Sequence, residues 1–208
     1  MSLFIKRVFD VMVAGAGLVL LSPVMGLIAL WIKADSRGPI FFRQVRAGRG
    51  GKPFTIYKFR TMVEGAEKGG YYTAAEDPRI TRVGRFLRAT SLDELPQLWN
   101  ILKGEMSVVG PRPTLLYQVE QYNERQRKRL EMRPGVTGWA QVNGRNALSW
   151  PERIELDVWY VEHWSLWLDL KILMKTLVVW LRGEGVYAEK EKFVVGAGDM
   201  EHLVKGGG

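Results

Sequence analysis

The chain has 208 residues, with 30 Lys and Arg against 22 Asp and Glu, and its length makes either one compact domain or a domain with an anchor, large enough to bury a core. The absence of cysteine excludes disulfides, thiolate zinc sites and thiol nucleophiles, and the two histidines, His163 and His202, have no ligand spacing that would support a histidine metal site or triad. The formal charge of +8 points to anionic partners without choosing among nucleic acid, acidic headgroups and phosphorylated small molecules.

Residues 11–32 carry no charge. At about 1.5 Å of rise per residue a helix of this length reaches across the hydrocarbon of a bilayer. A signal peptide fits poorly, since the run is long and has no convincing small-residue cleavage site before Lys33. A buried core helix is the other alternative. Lys6 and Arg7 precede the run, and Lys33, Arg37, Arg43, Arg46, Arg49 and Lys52 follow it, so both ends carry the cytoplasmic signal. Ser22-Pro23 falls at the midpoint, where proline removes a helical hydrogen bond and clashes with the preceding turn. The preferred reading is a re-entrant hairpin of two half-helices over residues 1–35, ahead of a kinked span. The freed carbonyls then need the Ser22 hydroxyl, water or the adjoining domain.

The expected fold is α+β: this anchor plus a mostly helical cytosolic domain over residues 36–185, with a small β-hairpin and interfacial amphipathic helices. Residues 40–45 and 54–59 read as strands joined by the glycine turn Gly48-Arg49-Gly50-Gly51, which lacks a nucleotide-loop pattern. Residues 64–77, with Tyr71-Tyr72, read as a mobile surface loop. A helix follows over residues 81–89, with Arg82, Arg85 and Arg88 along one face; such a stripe is usually solvated.

Next comes Ser91-Leu92-Asp93-Glu94-Leu95-Pro96, where Ser91 and Glu94 have capping-box spacing. Taken alone this is first of all an ordinary helix start. Two adjacent acids amid so many cations also make a candidate reacting centre: helix-start N–H groups favour negative charge and would keep Asp93 ionised beside an anion site. The helix runs on over residues 95–102 and ends at Lys103-Gly104, while Pro96 distorts its first turns.

Pro111-Arg112-Pro113 is a rigid turn presenting a guanidinium fork suited to phosphate. Arg125, Arg129 and Arg133 lie four apart and read as a basic helix face, solvated or against headgroups. Residues 164–182 set Trp164, Trp167, Leu170, Leu173, Leu177 and Trp180 against Lys171, Lys175 and Arg182, which suits a helix lying in the headgroup layer or one packed on the core. Residues 186–208 form a charged, glycine-rich tail whose final three glycines read as disordered or cloning-derived.

Several of these segments recur together. Lys6-Arg7-Val8-Phe9-Asp10, Ser22-Pro23, Gly38-Pro39-Ile40-Phe41-Phe42, Lys58-Phe59-Arg60-Thr61-Met62, Asp77-Pro78-Arg79-Ile80-Thr81, Leu92-Asp93-Glu94-Leu95-Pro96-Gln97, Gly104-Glu105-Met106-Ser107, Val109-Gly110-Pro111-Arg112-Pro113 and Arg133-Pro134-Gly135-Val136-Thr137-Gly138 follow one another in this order. In that series the chain resembles the bacterial sugar transferase family, the monotopic phosphoglycosyl transferases, in its short form without additional spans before the catalytic part. The resemblance implies transfer of a sugar-1-phosphate from a UDP-sugar to a polyprenyl phosphate, undecaprenyl phosphate in bacteria, with release of UMP. It implies Asp93 as nucleophile in a covalent phosphosugar-aspartyl intermediate, Glu94 as its acidic partner, and a requirement for Mg2+ with Asp93 as a ligand.

Under the same resemblance Lys58, Arg60, Arg88 and Arg112 surround the diphosphate, with Arg145 toward the donor or acceptor phosphate. The implied location is the cytoplasmic face of the bacterial inner membrane, at the lipid bilayer, with self-association left open. A non-enzymatic basic adaptor or nucleic-acid binder is the competing class. It leaves Asp93-Glu94 without a purpose.

Overall fold

The computed structural model describes residues 2–66, 74, 76–144 and 147–182. It begins with α1 (Ser2–Asp35), the one described helix long and apolar enough to cross a membrane. Its inward face has Lys6, Asp10 and Ala14 at four-residue spacing in the first half and Ile28 and Ile32 at the same spacing in the second, with Gly17 set against the Leu98 side chain between them. The opposite face exposes Phe4, Met12, Val19, Leu20, Leu27 and Leu30.

The expected hairpin of two half-helices takes the form of one helical element, with Pro23 inside it. The reason is local. Proline at 23 deprives the Val19 carbonyl of its N–H partner, and the Ser22 hydroxyl donates to that carbonyl instead, at 2.8 Å. Both ends of α1 are tied to the same domain. Near the start, Lys6 donates to Val109 O (2.8 Å) and pairs with Asp169 (2.6 Å), Arg7 donates to the carbonyls of Ile101 and Leu102, and Asp10 accepts from Ser107 and Val108 N. Near the end, Asp35 accepts from Val83 N. Lys6 and Arg7, read from sequence as a charge signal for the membrane face, are therefore spent inside the fold.

The hairpin β1 (Phe41–Ala47) and β2 (Pro53–Phe59) is antiparallel, with Phe42 opposite Lys58. Gly50 and Gly51, both at positive φ, make the tip where only glycine is free of strain. Helix α2 (Arg82–Ala89) is capped by the Thr81 side chain. A 3-10 turn over Leu92–Glu94 leads to α3 (Gln97–Lys103), which Gly104 ends in the left-handed region. Asn100, fully buried, pins α3 to β2 by accepting from Tyr57 N and donating to Thr55 O.

Strand β3 (Ser107–Val109) pairs in parallel with β4 (Gly135–Thr137). The short α4 (Leu116–Glu120), α5 (Glu124–Arg127) and α6 (Trp139–Val142) precede α7 (Trp150–Glu162) and α8 (Leu166–Arg182).

The core divides along the chain. Ala14 packs with Phe54, Ile56, Ile101 and Met106. Ile28 and Ile32 pack with Phe59, Val83 and Leu87, against Leu92 and Leu95. The apolar helix α1 thus presses on the residues that flank the acidic pair.

Helix α8 packs on the core through Leu168 and Ile172, which are buried, while Trp167, Leu170, Met174, Leu177 and Leu181 face outward. Lys171 and Lys175 lean over the Trp139 ring, the nearer at 4.8 Å. The residues 186–208 and Tyr71-Tyr72 lie outside the described residues.

At Gly84 an added Cβ would sit 2.0 Å from the Thr61 carbonyl oxygen, so α2 meets the end of β2 backbone to backbone. Gly84→Ala is expected to destabilise by the upper part of about 1–3 kcal/mol in a denaturant titration, because a backbone has to move rather than a side chain.

Candidate active site

A cavity of about 1300 Å³ opens between the β-hairpin, the 3-10 turn and α7. Its wall includes Lys58, Arg60, Thr61, Arg88, Ser91, Asp93, Glu94 and Arg112, and it reaches Phe41, Phe42 and Val63 on one side and Gln141, Trp150 and Asp157 on the other.

The acidic pair sits differently from the sequence expectation. Ser91 has φ 57°, the one described non-glycine residue at positive φ, and its side chain caps nothing, so the capping box is not formed. The left-handed residue reverses the chain after α2, and burial of Leu92 and Leu95 under α1 holds the strained turn. The tight turn, rather than an α-helical first turn, brings both acids to one cavity.

Glu94 takes the cations. Its Oε1 accepts from Lys58 Nζ at 2.7 Å and from Arg112 at 2.6 Å. Burial opposes its ionisation, but Arg112 and Lys58 overcome that and hold its carboxyl well below the usual carboxylate range. Asp93, 9 % exposed, is 3.9 Å from Lys58. Burial pushes its carboxyl up, Lys58 opposes this, and the negative neighbour Glu94 adds to it. Two adjacent carboxylates thus have opposite environments: one neutralised, the other less so and more basic.

Arg88 donates to the Thr61 hydroxyl at 2.8 Å and contributes favourable charge at Asp93. Arg60 is placed differently. Its guanidinium donates to the carbonyls of Ser36 (2.9 Å), Arg37 (2.6 Å) and Pro39 (2.5 Å), binding the end of α1 to β2. Three carbonyls thus hold the Arg60 guanidinium, while the side chain also lines the cavity. Arg145 lies outside the described residues.

Sequence reasoning missed Arg129. The four-residue spacing with Arg125 and Arg133 suggested one basic helix face, but the chain changes from α5 to a 3-10 turn at Lys128, and Arg129 turns inward to 3 % exposure. It donates to Asp157 at 2.5 Å, to the Tyr122 hydroxyl, and to the Arg112 carbonyl at 3.0 Å. The last bond fixes the Pro-Arg-Pro turn that aims Arg112 at Glu94. Gln141, Trp150 and Asp157 carried no signal in the sequence either; they become visible only once the cavity wall exists.

Among the described residues no group of three or more His, Cys, Asp or Glu side chains is placed to hold a metal ion. The available donors are two adjacent carboxylates, with Glu94 Oε1 already shared by two cations. That set fits a hard divalent cation that takes one or two protein carboxylates and fills its shell from substrate phosphates and water.

A family model described as bacterial sugar transferase matches residues 1–183. The chain belongs to the bacterial sugar transferase family. It is 46 % identical over 202 residues to an uncharacterized sugar transferase, EpsL, of Bacillus subtilis (strain 168), covering 95 % of this chain and 99 % of that protein. It is 44 % identical over 203 residues to an undecaprenyl-phosphate galactose phosphotransferase of Salmonella typhimurium, covering 89 % of this chain and 42 % of that one. It is 45 % identical over 182 residues to a UDP-glucose:undecaprenyl-phosphate glucose-1-phosphate transferase of Escherichia coli (strain K12), covering 83 % and 39 %. The chain thus spans about two fifths of the length of the latter two relatives. In this family member Lys58 of β2 and Arg112 of the turn after β3 pair with the acidic residues, and Arg88 of α2 adds its charge at Asp93.

Proposed function

We propose that this chain transfers a sugar-1-phosphate from a UDP-sugar to a membrane polyprenyl phosphate, undecaprenyl phosphate in bacteria, releasing UMP. The observation that carries the reading is the division of labour at the acidic pair, one carboxylate neutralised by Lys58 and Arg112 and the other available, in a basic cavity beside an apolar helix.

An Asp93 oxygen attacks the phosphorus nearest the sugar. A P–O bond forms to Asp93 as the anhydride bond breaks, and UMP departs with the bridging oxygen and its electron pair. A phosphate oxygen of the polyprenyl phosphate then attacks the same phosphorus. The Asp93–P bond breaks, the carboxylate is regenerated and the polyprenyl diphosphate sugar leaves. Lys58, Arg88 and Arg112 offset the charge of the diphosphate, and the Arg112 fork matches paired phosphate oxygens. Asp93, with Glu94 beside it, would hold Mg2+, whose charge when bound offsets repulsion between an anionic nucleophile and an anionic donor.

Burial places Asp93 above the ordinary carboxylate value of 3.8. The acid limb of kcat/KM is expected above that value, activity falling as pH drops through it. Glu94→Gln removes a negative neighbour and frees Lys58 and Arg112 for Asp93, so the limb should move to lower pH. An unmoved limb in the pH profile would contradict this pairing.

The reading includes attachment to the cytoplasmic face of the inner membrane, with α1 presenting its exposed apolar face to lipid while both its ends stay on one side. Single cysteines at Ser2→Cys and Lys52→Cys should escape an impermeant label in spheroplasts and react after permeabilisation. Labelling of one site alone would overturn the topology.

The test of the function is a UMP-release assay with a UDP-sugar panel and vesicles containing polyprenyl phosphate. UMP and a lipid-linked sugar product are expected, both lost in chelator and restored by magnesium. Release that ignores magnesium, or none from any UDP-sugar, would refute the proposal. Salt-sensitive nucleic-acid binding that ignores Asp93 would favour the competing class.

A further inference from the structure

The cavity continues past Arg112 to a wall built by α6 and α7. Four buried side-chain atoms there have no hydrogen-bond partner: Gln141 Nε2, Gln141 Oε1, Trp150 Nε1 and Asp157 Oδ1. Among the described residues only Gln97 Nε2 shares that condition, and Gln97 does not line the cavity. Buried polar groups are normally paired, because leaving one unpaired costs folding free energy. A cluster on one cavity wall marks a place where a ligand supplies the partners.

The fold holds these atoms in position. Trp150 is the first residue of α7, set by the reciprocal cap in which Ser149 donates to Glu152 at 2.7 Å and the Ser149 side chain accepts from the helix. The guanidinium groups of Arg129 and Arg153 sit over its ring at 5.8 and 5.6 Å, so what the indole offers a ligand is its N–H. Asp157 is fixed by Arg129 through Oδ2, which leaves Oδ1 open.

Two of these atoms are donors and two are acceptors. Gln141 Nε2 and Trp150 Nε1 need acceptors; Gln141 Oε1 and Asp157 Oδ1 need donors. Uracil has one N–H donor, so the base alone fails to meet both acceptors. Hydroxyl groups donate and accept at once, and two or three neighbouring hydroxyls satisfy all four atoms.

We infer that Gln141, Trp150 and Asp157 bind neighbouring hydroxyl groups of the nucleotide sugar, those of the transferred hexose or the diol of the ribose. This rests on the function proposed above. The wall lies beside Arg112, which the cavity connects to Asp93, so either sugar ring of a donor whose diphosphate is held by Arg112 is a source of such hydroxyls.

The test uses Trp150→Phe, which keeps an aromatic ring, smaller than the indole, and loses the N–H, and Gln141→Leu, which keeps the volume and loses both polar atoms. Each is expected to lower kcat/KM for the UDP-sugar about tenfold, mainly through KM, while Tm holds or rises because a buried unpaired group is removed. A changed ratio of kcat/KM between UDP-glucose and UDP-galactose assigns the wall to the hexose. An unchanged ratio with weaker inhibition by UMP assigns it to the ribose. Unchanged kinetics and unchanged UMP inhibition in both variants would overturn the inference, as would a loss of activity that tracks a fall in Tm. A wild-type protein that uses no UDP-sugar refutes the parent function, whereas an active wild type with unaffected variants refutes this inference alone.

Discussion

Asp93→Asn is expected to lower sugar-phosphate transfer by about 10³-fold or more, since removal of a covalent nucleophile leaves only binding and charge stabilisation. The substitution keeps the shape of a side chain that is 9 % exposed and removes a carboxyl that burial already holds above its usual range. Stability should therefore be kept or improved, and the loss should fall on kcat rather than on donor binding. Binding of UDP-sugar to Asp93→Asn, followed by calorimetry beside Tm, separates the two. Near wild-type turnover in the variant would remove Asp93 from the chemistry.

The second large effect is on folding. Arg129→Ala strips the partner from Asp157, whose carboxyl burial already pushes up to about 6 against the opposing pull of Arg129. Breaking one side of a buried ion pair costs about 3–5 kcal/mol. The sign with pH is fixed. In the variant the folded-state pKa of Asp157 rises further above its unfolded value of 3.8, so stability is kept at low pH and lost as pH rises through that folded pKa. Urea midpoints at pH 5 and pH 8 are expected to diverge, with the larger deficit at pH 8. Equal deficits would contradict the assignment of the cost to Asp157. Because Arg129 also holds the Arg112 carbonyl, residual activity in folded protein should show a raised KM for the donor.

The hairpin was legible from two strand-like runs rich in aromatic and β-branched residues around a glycine turn, and α1 from an uncharged run, because both depend on local pattern. The acidic pair stood out for its charge, yet its geometry did not. Ser91 and Glu94 have the spacing of a capping box, but Glu94 gains more from Lys58 and Arg112 than from a backbone N–H, and those partners come from 36 and 18 residues away.

Arg60 illustrates the reverse. Its place two residues from Lys58 gives no sign that its guanidinium holds three carbonyls at the end of α1. Arg129 was hidden because a four-residue spacing means one face only if the helix continues, and here it tightens. The orphaned atoms of Gln141, Trp150 and Asp157 belong to a tertiary surface that no local pattern encodes.

The most direct measurement is UMP release from purified enzyme given magnesium and its UDP-sugar with no polyprenyl phosphate present. A carboxylate nucleophile predicts a burst approaching one UMP per active site, together with a phosphosugar adduct on the Asp93 peptide by mass spectrometry, discharged when acceptor lipid is added. No UMP until the acceptor is present, and no adduct at any time, would contradict covalent catalysis and require direct transfer between the two bound substrates.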